Sequence, residues 1–212
     1  MNSETGWKKC ATEIFWGEIA PNDHVVHIYE DKSSLLDVLA GFVADGIKSD
    51  DSIIVIATRE HLNGVEGRLW AQGIQVDSLL ADDRYIALDA QHTLSQFMVN
   101  GFPDEQLFMN IVNRLVSRAK KHDRKIRAFG EMVALLMAKG QSGATVQLER
   151  LWNKFCATNA LALLCAYPKA HFTENDGTCF GHICSEHSKM ISPTDASTSE
   201  IMYLEVTSTN GF

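Results

Sequence analysis

A chain of 212 residues, of which 45% are hydrophobic and 22% charged, is long enough to bury one complete hydrophobic core and is neither disordered nor fibrous in composition. The formal net charge of -8 argues against a nucleic-acid-binding surface, because contacts with phosphate groups need clustered Lys and Arg. No apolar stretch approaches the roughly 20 residues that cross a bilayer, and the N-terminus lacks a secretory signal, so we expect a cytoplasmic protein without membrane contact.

The first part of the chain predicts two strand–helix units in succession. His24–Tyr29 (HVVHIY) is a β-rich run, and Ser33–Ala44 carries Leu and Phe side chains at helical spacing before Gly46, a typical helix stop. Ser52–Thr58 (SIIVIAT) is a continuous apolar run, typical of a strand that is buried on both faces of a parallel sheet. An amphipathic helix that leads to Gly73 follows this strand.

The third unit contains the clearest helix of the chain. A strand at Arg84–Ala90 and a short helix at Thr93–Val99 precede a turn in which Pro103 and Asp104 suit a helix start. The next helix carries one apolar stripe, formed by Phe108, Ile111, Val112, Leu115, Val116 and Ala119. A stripe of this kind marks the core-facing side of a helix.

The stretch Ile126–Tyr167 predicts one further strand–helix–strand unit. The strands are KIRAFGEM and ALLCAY, and the helix between them carries Leu148, Leu151, Trp152 and Phe155 on its apolar side. This arrangement puts Glu131 and Tyr167 at the ends of neighbouring strands. Beyond Pro168 we expect a helix at Phe180–Lys189 and a last strand at Ile201–Val206.

The alternation of strands and helices predicts an α/β fold with a mostly parallel central sheet and helices on both faces. We divide the chain into a lead-in segment at residues 1–19, a main domain at residues 20–192 and a C-terminal tail at residues 193–212. The lead-in, with Trp7, Phe15 and Trp16, packs either on the sheet or on another chain. The tail either closes a sheet edge or meets a partner.

The position of a phosphate-binding loop has the wrong sequence for nucleotide binding. Such a loop reads G-x-x-x-x-G-K-[ST] after the first strand, and its backbone N–H groups surround the phosphates. Here the position reads HIYEDKSSLL, which contains no glycine. The carboxylates of Glu30 and Asp31 would repel a triphosphate, so we expect neither conventional ATP binding nor a cofactor.

Polar side chains stand at the carboxyl ends of the predicted strands, where open parallel sheets form binding crevices. The candidate ligand-binding residues are His27, Tyr29, Glu30, Arg59, His61, Asp89, Glu131 and Tyr167. Alternatively, such residues cap helices and pair with one another. Asp31 or Ser33 suits a helix cap, and Glu131 could form a buried ion pair with Arg127 or Arg59. No G-x-S-x-G motif or other nucleophile signature is present, so we predict no catalytic residue.

Cysteines and histidines near residue 180 resemble a zinc motif only superficially. The four residues in question are Cys179, His182, Cys184 and His187. At about 100° per residue their side chains spread around more than half of a helix, so one helix cannot direct all four at a single ion. We therefore expect no metal there, and a packed helix with a partly buried thiol and imidazole, although a metal shared across a dimer is a remaining alternative.

Several short motifs occur in a characteristic order between about residues 20 and 192. They are HVVHIYED, IVIATREHLNGVEGRL, YIALDAQHTLSQFMVNGFPDEQLF, IRAFGEMVALLMAKG, LERLWN, LLCAYP and ICSEHSKMISP. Together they resemble the MEDS family, the methanogen/methylotroph sensory domain. The resemblance implies a RecA/KaiC-like three-layer sandwich that has lost its phosphate loop and serves as a sensory module beside DNA-binding or histidine-kinase regions. It supplies no catalytic residues.

These features favour a non-enzymatic sensor as the leading hypothesis. A small molecule would bind at the strand-end crevice and shift the populations of two arrangements of the domain or its dimer. Because only about twenty residues flank the domain at each end, the signal would pass to a histidine kinase or transcriptional regulator, or through self-association. The alternatives are a ligand-independent pseudo-ATPase interaction module and, ranked last, a residual nucleotide hydrolase that uses Glu131.

Overall fold

The computed structural model describes residues 7–13, 16–172, 177–193 and 199–204. Its strands are β1 (Trp7–Glu13), β2 (His24–Tyr29), β3 (Ser52–Ala57), β4 (Tyr85–Asp89), β5 (Met98–Val99), β6 (Phe102–Pro103), β7 (Ile126–Gly130), β8 (Leu161–Pro168), β9 (Lys189–Pro193) and β10 (Ser199–Leu204). Its α-helices are α1 (Lys32–Lys48), α2 (Arg59–Ala71), α3 (Asp77–Ala81), α4 (Ala90–Ser95), α5 (Glu105–Ala119), α6 (Met132–Ala138), α7 (Ser142–Asn159) and α8 (Gly177–Ser185).

One large sheet organises the molecule, in the order β1-β10-β9-β2-β8-β7-β3-β4. The six strands from β9 to β4 run parallel, whereas β10 pairs antiparallel with both β9 and β1. Strands β5 and β6 form a separate small hairpin. The predicted α/β class with a mostly parallel sheet is therefore confirmed.

Helices cover both faces of the sheet and make three layers. Helices α1 and α2 pack on what we term the first face, and helices α4 to α8 pack on the second face. Side chains alternate between the two faces along each strand. In β8, for example, Leu163, Cys165 and Tyr167 belong to the second face, whereas Leu164 and Ala166 belong to the first.

Four helices, α1, α2, α4 and α5, begin with a side-chain cap at or just after the end of a strand. The Asp31 carboxylate accepts a hydrogen bond from the Ser34 N–H at 2.9 Å, and Asp89 accepts one from the His92 N–H at 2.8 Å. Thr58 caps α2 in the same way. Such caps satisfy backbone donors that the first helical turn leaves free. Asp31, and not Ser33, is therefore the cap of α1.

Gly46 is not a helix stop, and this prediction is wrong. Helix α1 continues to Lys48, and Gly46 lies inside it, where an added Cβ would stand 2.6 Å from the Ile53 side chain. The glycine allows α1 to approach the sheet closely. Gly73, by contrast, does follow α2 as predicted and has a positive φ of 79°.

The predicted helix at Phe180–Lys189 is too long, because α8 ends at Ser185 and the strand β9 starts at Lys189. Strand β9 pairs parallel with β2, and no alternation in KMISP marks this long-range pairing. The predicted last strand corresponds to β10, although residues 205–206 lie outside the described part of the chain. Residues 7–13 of the lead-in form β1 on the sheet edge, whereas Phe15 and the side chain of Trp7 are not among the described groups.

Candidate functional site

Glu131 lies at the carboxyl end of β7 and joins two neighbouring strands. Its N–H donates to the Ile56 carbonyl of β3 at 2.9 Å, which fixes the backbone across the strand pair. Its Oε2 accepts a hydrogen bond from the Thr58 N–H at 2.7 Å, and its Oε1 lies 2.7 Å from Nδ1 of His61. Because a carboxylate only accepts, His61 Nδ1 is the donor. The side chain is buried, with an exposed fraction of 5% for the residue.

Two residues of β2 complete what we call the strand-end site. His27 and Tyr29 alternate with the second-face residues Val26 and Ile28, so they point to the first face, and their ring centroids are 5.9 Å apart. His27 is fully buried, and neither ring nitrogen has a hydrogen-bond partner among the described residues. Burial, together with the charge of Glu131, raises the pKa of Tyr29 to about 12, so its hydroxyl remains a donor at neutral pH.

The other predicted candidates do not join this site. Glu30 is exposed and pairs with Lys169 at 2.7 Å, and the Asp89 side chain caps α4. Arg59 is exposed at the start of α2. Tyr167 ends a neighbouring strand, as predicted, but its side chain projects to the second face and donates to Glu149. The crevice expected from strand ends alone is therefore divided between the two faces of the sheet.

Glu131 pairs with a histidine and not with an arginine, which was the alternative considered from the sequence. His61 contacts the Glu131 carboxylate, whereas Arg127 lies at the other end of β7 and pairs with Asp45 and Asp51. The histidine lies in the first turn of α2, and its own N–H donates to the Thr58 side chain that caps this helix. Glu131 and His61 are 70 residues apart, so only the pairing of β3 with β7 brings them together.

The start of α1 lies where a phosphate-binding loop would lie, but its hydrogen-bond donors are already engaged by other side chains. In a phosphate loop the free N–H groups of the first helical turn meet the ligand. Here the Ser34 N–H is already satisfied by the Asp31 carboxylate. Lys32, which echoes the lysine of the motif, forms an ion pair with Glu60. Negative side chains therefore already interact with both of these donors.

A second group of polar side chains is buried under the second face. It consists of His24, Glu149, Cys165 and His187, whose possible ligand atoms all lie within 4.8 Å of one another. Of the Cys/His residues considered from the sequence, only His187 belongs to it, because His182 is exposed and Cys179 and Cys184 lie outside the group. Three elements and the connection between α8 and β9 supply these residues, so no local spacing could have revealed the cluster.

Open clefts occur away from the strand-end site. One of about 400 Å³ lies at the amino ends of the strands and is lined by residues such as Asp51, Arg124 and Ala162. A shallower groove of about 760 Å³ runs beside α7, where Arg150 and His182 contribute to the wall. Among the described residues, no helix combines the length and the apolar character that a membrane span requires.

We expect His27 to make folding stability depend on pH. Burial lowers the pKa of His27 from 6.5 to about 4, so the unfolded chain takes up a proton in this range while the folded chain does not. The free energy of unfolding therefore falls as the pH drops from about 6.5 to about 4. His27→Leu should make this slope shallower by up to about 1.4 kcal/mol per pH unit.

Urea unfolding followed by circular dichroism between these pH values measures the slope. His92→Gln, at an exposed position of α4, controls for the loss of one imidazole. Equal slopes for wild type and His27→Leu would contradict the assignment.

Comparison with solved structures places the fold among KaiC-like proteins. The KaiC-like protein PH0186 of Pyrococcus horikoshii OT3 superposes with a TM-score of 0.58 at 9% identity, over 87% of this chain and 82% of that chain. The flagellar accessory protein FlaH of Methanocaldococcus jannaschii gives a TM-score of 0.53 at 9% identity, over 87% and 78% of the two chains. At these identities the likeness shows a shared RecA/KaiC-like fold alone.

Sequence comparison identifies the family. No curated protein matches the chain. The family model described as "MEthanogen/methylotroph, DcmR Sensory domain" (MEDS) matches residues 23–179, which include every strand from β2 to β8 and the whole strand-end site. A match over most of the chain, on a fold of the expected kind, shows that this protein belongs to the MEDS family.

Proposed function

We propose that this protein is a non-enzymatic sensory domain that binds a small molecule at the strand-end site and relays the binding to a regulatory partner. Membership of a sensory-domain family supports the general role. The observation that carries the finer proposal is the buried polar group around Glu131. Its carboxylate is held by Thr58 and His61, and Tyr29 and the unpartnered His27 stand on the same face of the sheet.

The chemistry of this site favours a small polar ligand. The Tyr29 hydroxyl is a donor at neutral pH, and the neutral His27 ring offers one donor and one acceptor. A ligand that hydrogen bonds to His27 would relieve the cost of leaving a buried polar ring unsatisfied. Such a ligand would gain specificity because analogues without the matching group would leave His27 unpaired again.

The same site gives little support for a nucleotide enzyme. Asp31 and Glu60 already engage the Ser34 N–H and Lys32 at the start of α1, where a triphosphate would need free donors. Glu131 engages the Thr58 N–H and His61 and has no phosphate-binding loop beside it. We therefore propose that the fold serves binding and not hydrolysis.

Binding would reach a partner through the helices that hold the site. His61 belongs to α2 and Thr58 caps it, so a ligand that competes for Glu131 would bias the position of α2 between two arrangements. The exposed outer side of α2 carries Trp70, which is 72% exposed. A histidine kinase, a transcriptional regulator or a second copy of the chain that contacts this side would detect the change.

A thermal-shift screen tests the proposal. The probes are Mg·ATP, Mg·ADP and a library of small organic acids, amines and alcohols. We expect at least one organic compound to raise the melting temperature of the wild type, and Glu131→Gln and Tyr29→Phe to abolish the shift. Glu105→Gln, an exposed residue of α5, is the matched control and should leave the shift unchanged.

Two other outcomes would replace the proposal. Turnover of Mg·ATP that Glu131→Gln removes would establish a residual hydrolase. The absence of any shift, combined with a concentration-dependent oligomer that Glu131→Gln leaves intact, would favour a ligand-independent interaction module. The exposed apolar side chains of Trp70 and of Phe102, on the β5–β6 hairpin, are the observation that keeps this second candidate open.

A further inference from the structure

The buried cluster under the second face has the composition of a transition-metal site. His24 begins β2, Cys165 lies in β8, Glu149 lies in α7, and His187 lies between α8 and β9. All four residues are buried, with exposed fractions between 0% and 2%. Charged or polar groups at this depth need partners, and two imidazoles, a thiol and a carboxylate are the ligands that zinc-type ions prefer.

The two histidines are oriented as metal ligands. The Nδ1 of His24 lies 3.0 Å from the Glu186 carbonyl, and the Nδ1 of His187 lies 2.7 Å from the Ile183 carbonyl. Because a carbonyl only accepts, Nδ1 carries the proton in both rings, and each Nε2 presents its lone pair to the cluster. Backbone carbonyls that hold the outer nitrogen of a ligating histidine are a common feature of zinc sites.

The distances among the possible ligand atoms of His24, Glu149 and Cys165 fit three edges of a tetrahedral site. His24 Nε2 lies 3.3 Å from Glu149 Oε2 and 3.4 Å from Cys165 Sγ, and Cys165 Sγ lies 3.6 Å from Glu149 Oε2. Zinc bond lengths of about 2.0–2.3 Å give tetrahedral edges of about 3.3–3.6 Å. The fourth atom, His187 Nε2, lies within 4.8 Å of the other possible ligand atoms and 3.6 Å from the second carboxylate oxygen, Glu149 Oε1. It has no hydrogen-bond partner among the described residues.

We propose that His24, Glu149, Cys165 and His187 bind a divalent transition metal ion of the zinc type in a closed structural site. Two neutral imidazoles, one carboxylate and one thiolate balance the charge of such an ion. Tyr167 is a positioning residue, because its hydroxyl donates to the carboxylate oxygen Oε1 of Glu149. The hydrogen bond leaves Oε2 directed at His24 and Cys165.

The ion would add a crosslink at the connection between α8 and β9. Residues 186–188 connect α8 to β9, and β9 carries the antiparallel extension β10–β1 on the sheet edge. Ligation of His187 would tie this connection to β2, β8 and α7 at one point. Four protein ligands and full burial leave no open position for substrate, which is typical of structural and not catalytic sites.

Metal analysis of the full chain tests the site. The purified protein is assayed for bound metal, stripped with a chelator under mild denaturation, and refolded with Zn²⁺ or Co²⁺. We expect one ion per chain and, with Co²⁺, a thiolate-to-cobalt charge-transfer band together with intense visible bands of tetrahedral cobalt. Cys165→Ser should abolish the charge-transfer band, and Cys165→Ser and His187→Gln should each weaken Zn²⁺ binding by about 100-fold or more.

Matched variants separate this site from other sources of binding. Cys184→Ala removes a buried thiol outside the cluster and should leave the stoichiometry and the band unchanged. Tyr167→Phe should weaken Zn²⁺ binding by about 10-fold through the freed Glu149 carboxylate. If Cys165→Ser fails to fold, His187→Gln, on a connecting segment, carries the same comparison.

Two results would overturn the proposal. The first is a folded wild-type chain that neither retains nor takes up one ion. The second is binding that persists in Cys165→Ser and His187→Gln, or a band that disappears in Cys184→Ala, since these results would assign the ion to other residues. In either case the cluster is a hydrogen-bonded part of the core.

Discussion

Replacing Arg127 with Met should lower the free energy of unfolding by about 3–5 kcal/mol. Arg127 is buried in β7, where Nε lies 2.8 Å from Asp51 Oδ2 and Nη2 lies 2.8 Å from Asp45 Oδ2. Asp51 is only 5% exposed, so loss of the guanidinium leaves an unpaired carboxylate with little contact with water. Removing one partner of a buried ion pair costs more than the pair itself contributes, because the other charge remains buried.

Urea unfolding at pH 7 measures the Arg127 effect, and Arg118→Met provides the control. Arg118 pairs with Asp83 at 2.7 Å, but its side chain is half-exposed, so its loss should cost less than about 1 kcal/mol. The double variant Arg127→Met with Asp51→Asn should recover part of the lost free energy of unfolding, because it also removes the negative charge that Arg127→Met leaves unpaired. Equal destabilisation by Arg127→Met and Arg118→Met would show that the buried cluster contributes no more than a surface pair.

Local sequence patterns predicted the central elements because these depend on short-range periodicity. The apolar stripe from Phe108 to Ala119 is buried in α5, and the continuous apolar run of β3 is buried on both faces, as expected. Strands β1 and β9 were missed because their pairing partners lie far along the chain. Helix α6 was missed because its apolar residues directly extend the run of β7, where periodicity cannot separate a buried strand from a buried helix.

The sequence predicts which candidate residues lie at strand ends, but it does not predict which face of the sheet each side chain occupies. Glu131 and Tyr167 do end neighbouring strands, yet they serve different faces because side chains alternate with a period of two. A strand boundary that is uncertain by one residue leaves the face undecided. The contact between Glu131 and His61 also depends on the residue at which α2 begins. The Thr58 cap determines that residue.

Glu131→Ala should lower the free energy of unfolding by about 3–4 kcal/mol. The substitution leaves the Thr58 N–H and the His61 Nδ1–H without their acceptor, and each hydrogen bond to a charged group contributes about 1.5–3 kcal/mol. Glu131→Gln should cost less than half as much. Its amide oxygen still accepts from one donor, and His61 can move its proton to Nε2 so that Nδ1 accepts from the amide nitrogen. Denaturant unfolding at pH 7 measures both effects.

The comparison between Ala and Gln separates the structural role of Glu131 from a sensory one. A purely structural carboxylate predicts that Gln, which retains most of the hydrogen bonds, retains most of every other property as well. A ligand site predicts that Gln abolishes binding while the chain stays folded, because a polar ligand distinguishes an anionic acceptor from an amide that also donates. Glu105→Gln is the control, since it makes the same change at an exposed carboxylate of α5, outside both buried polar groups. A Glu131→Gln chain that is as unstable as Glu131→Ala would mean that the negative charge itself, and not the two hydrogen bonds, holds α2 against β7.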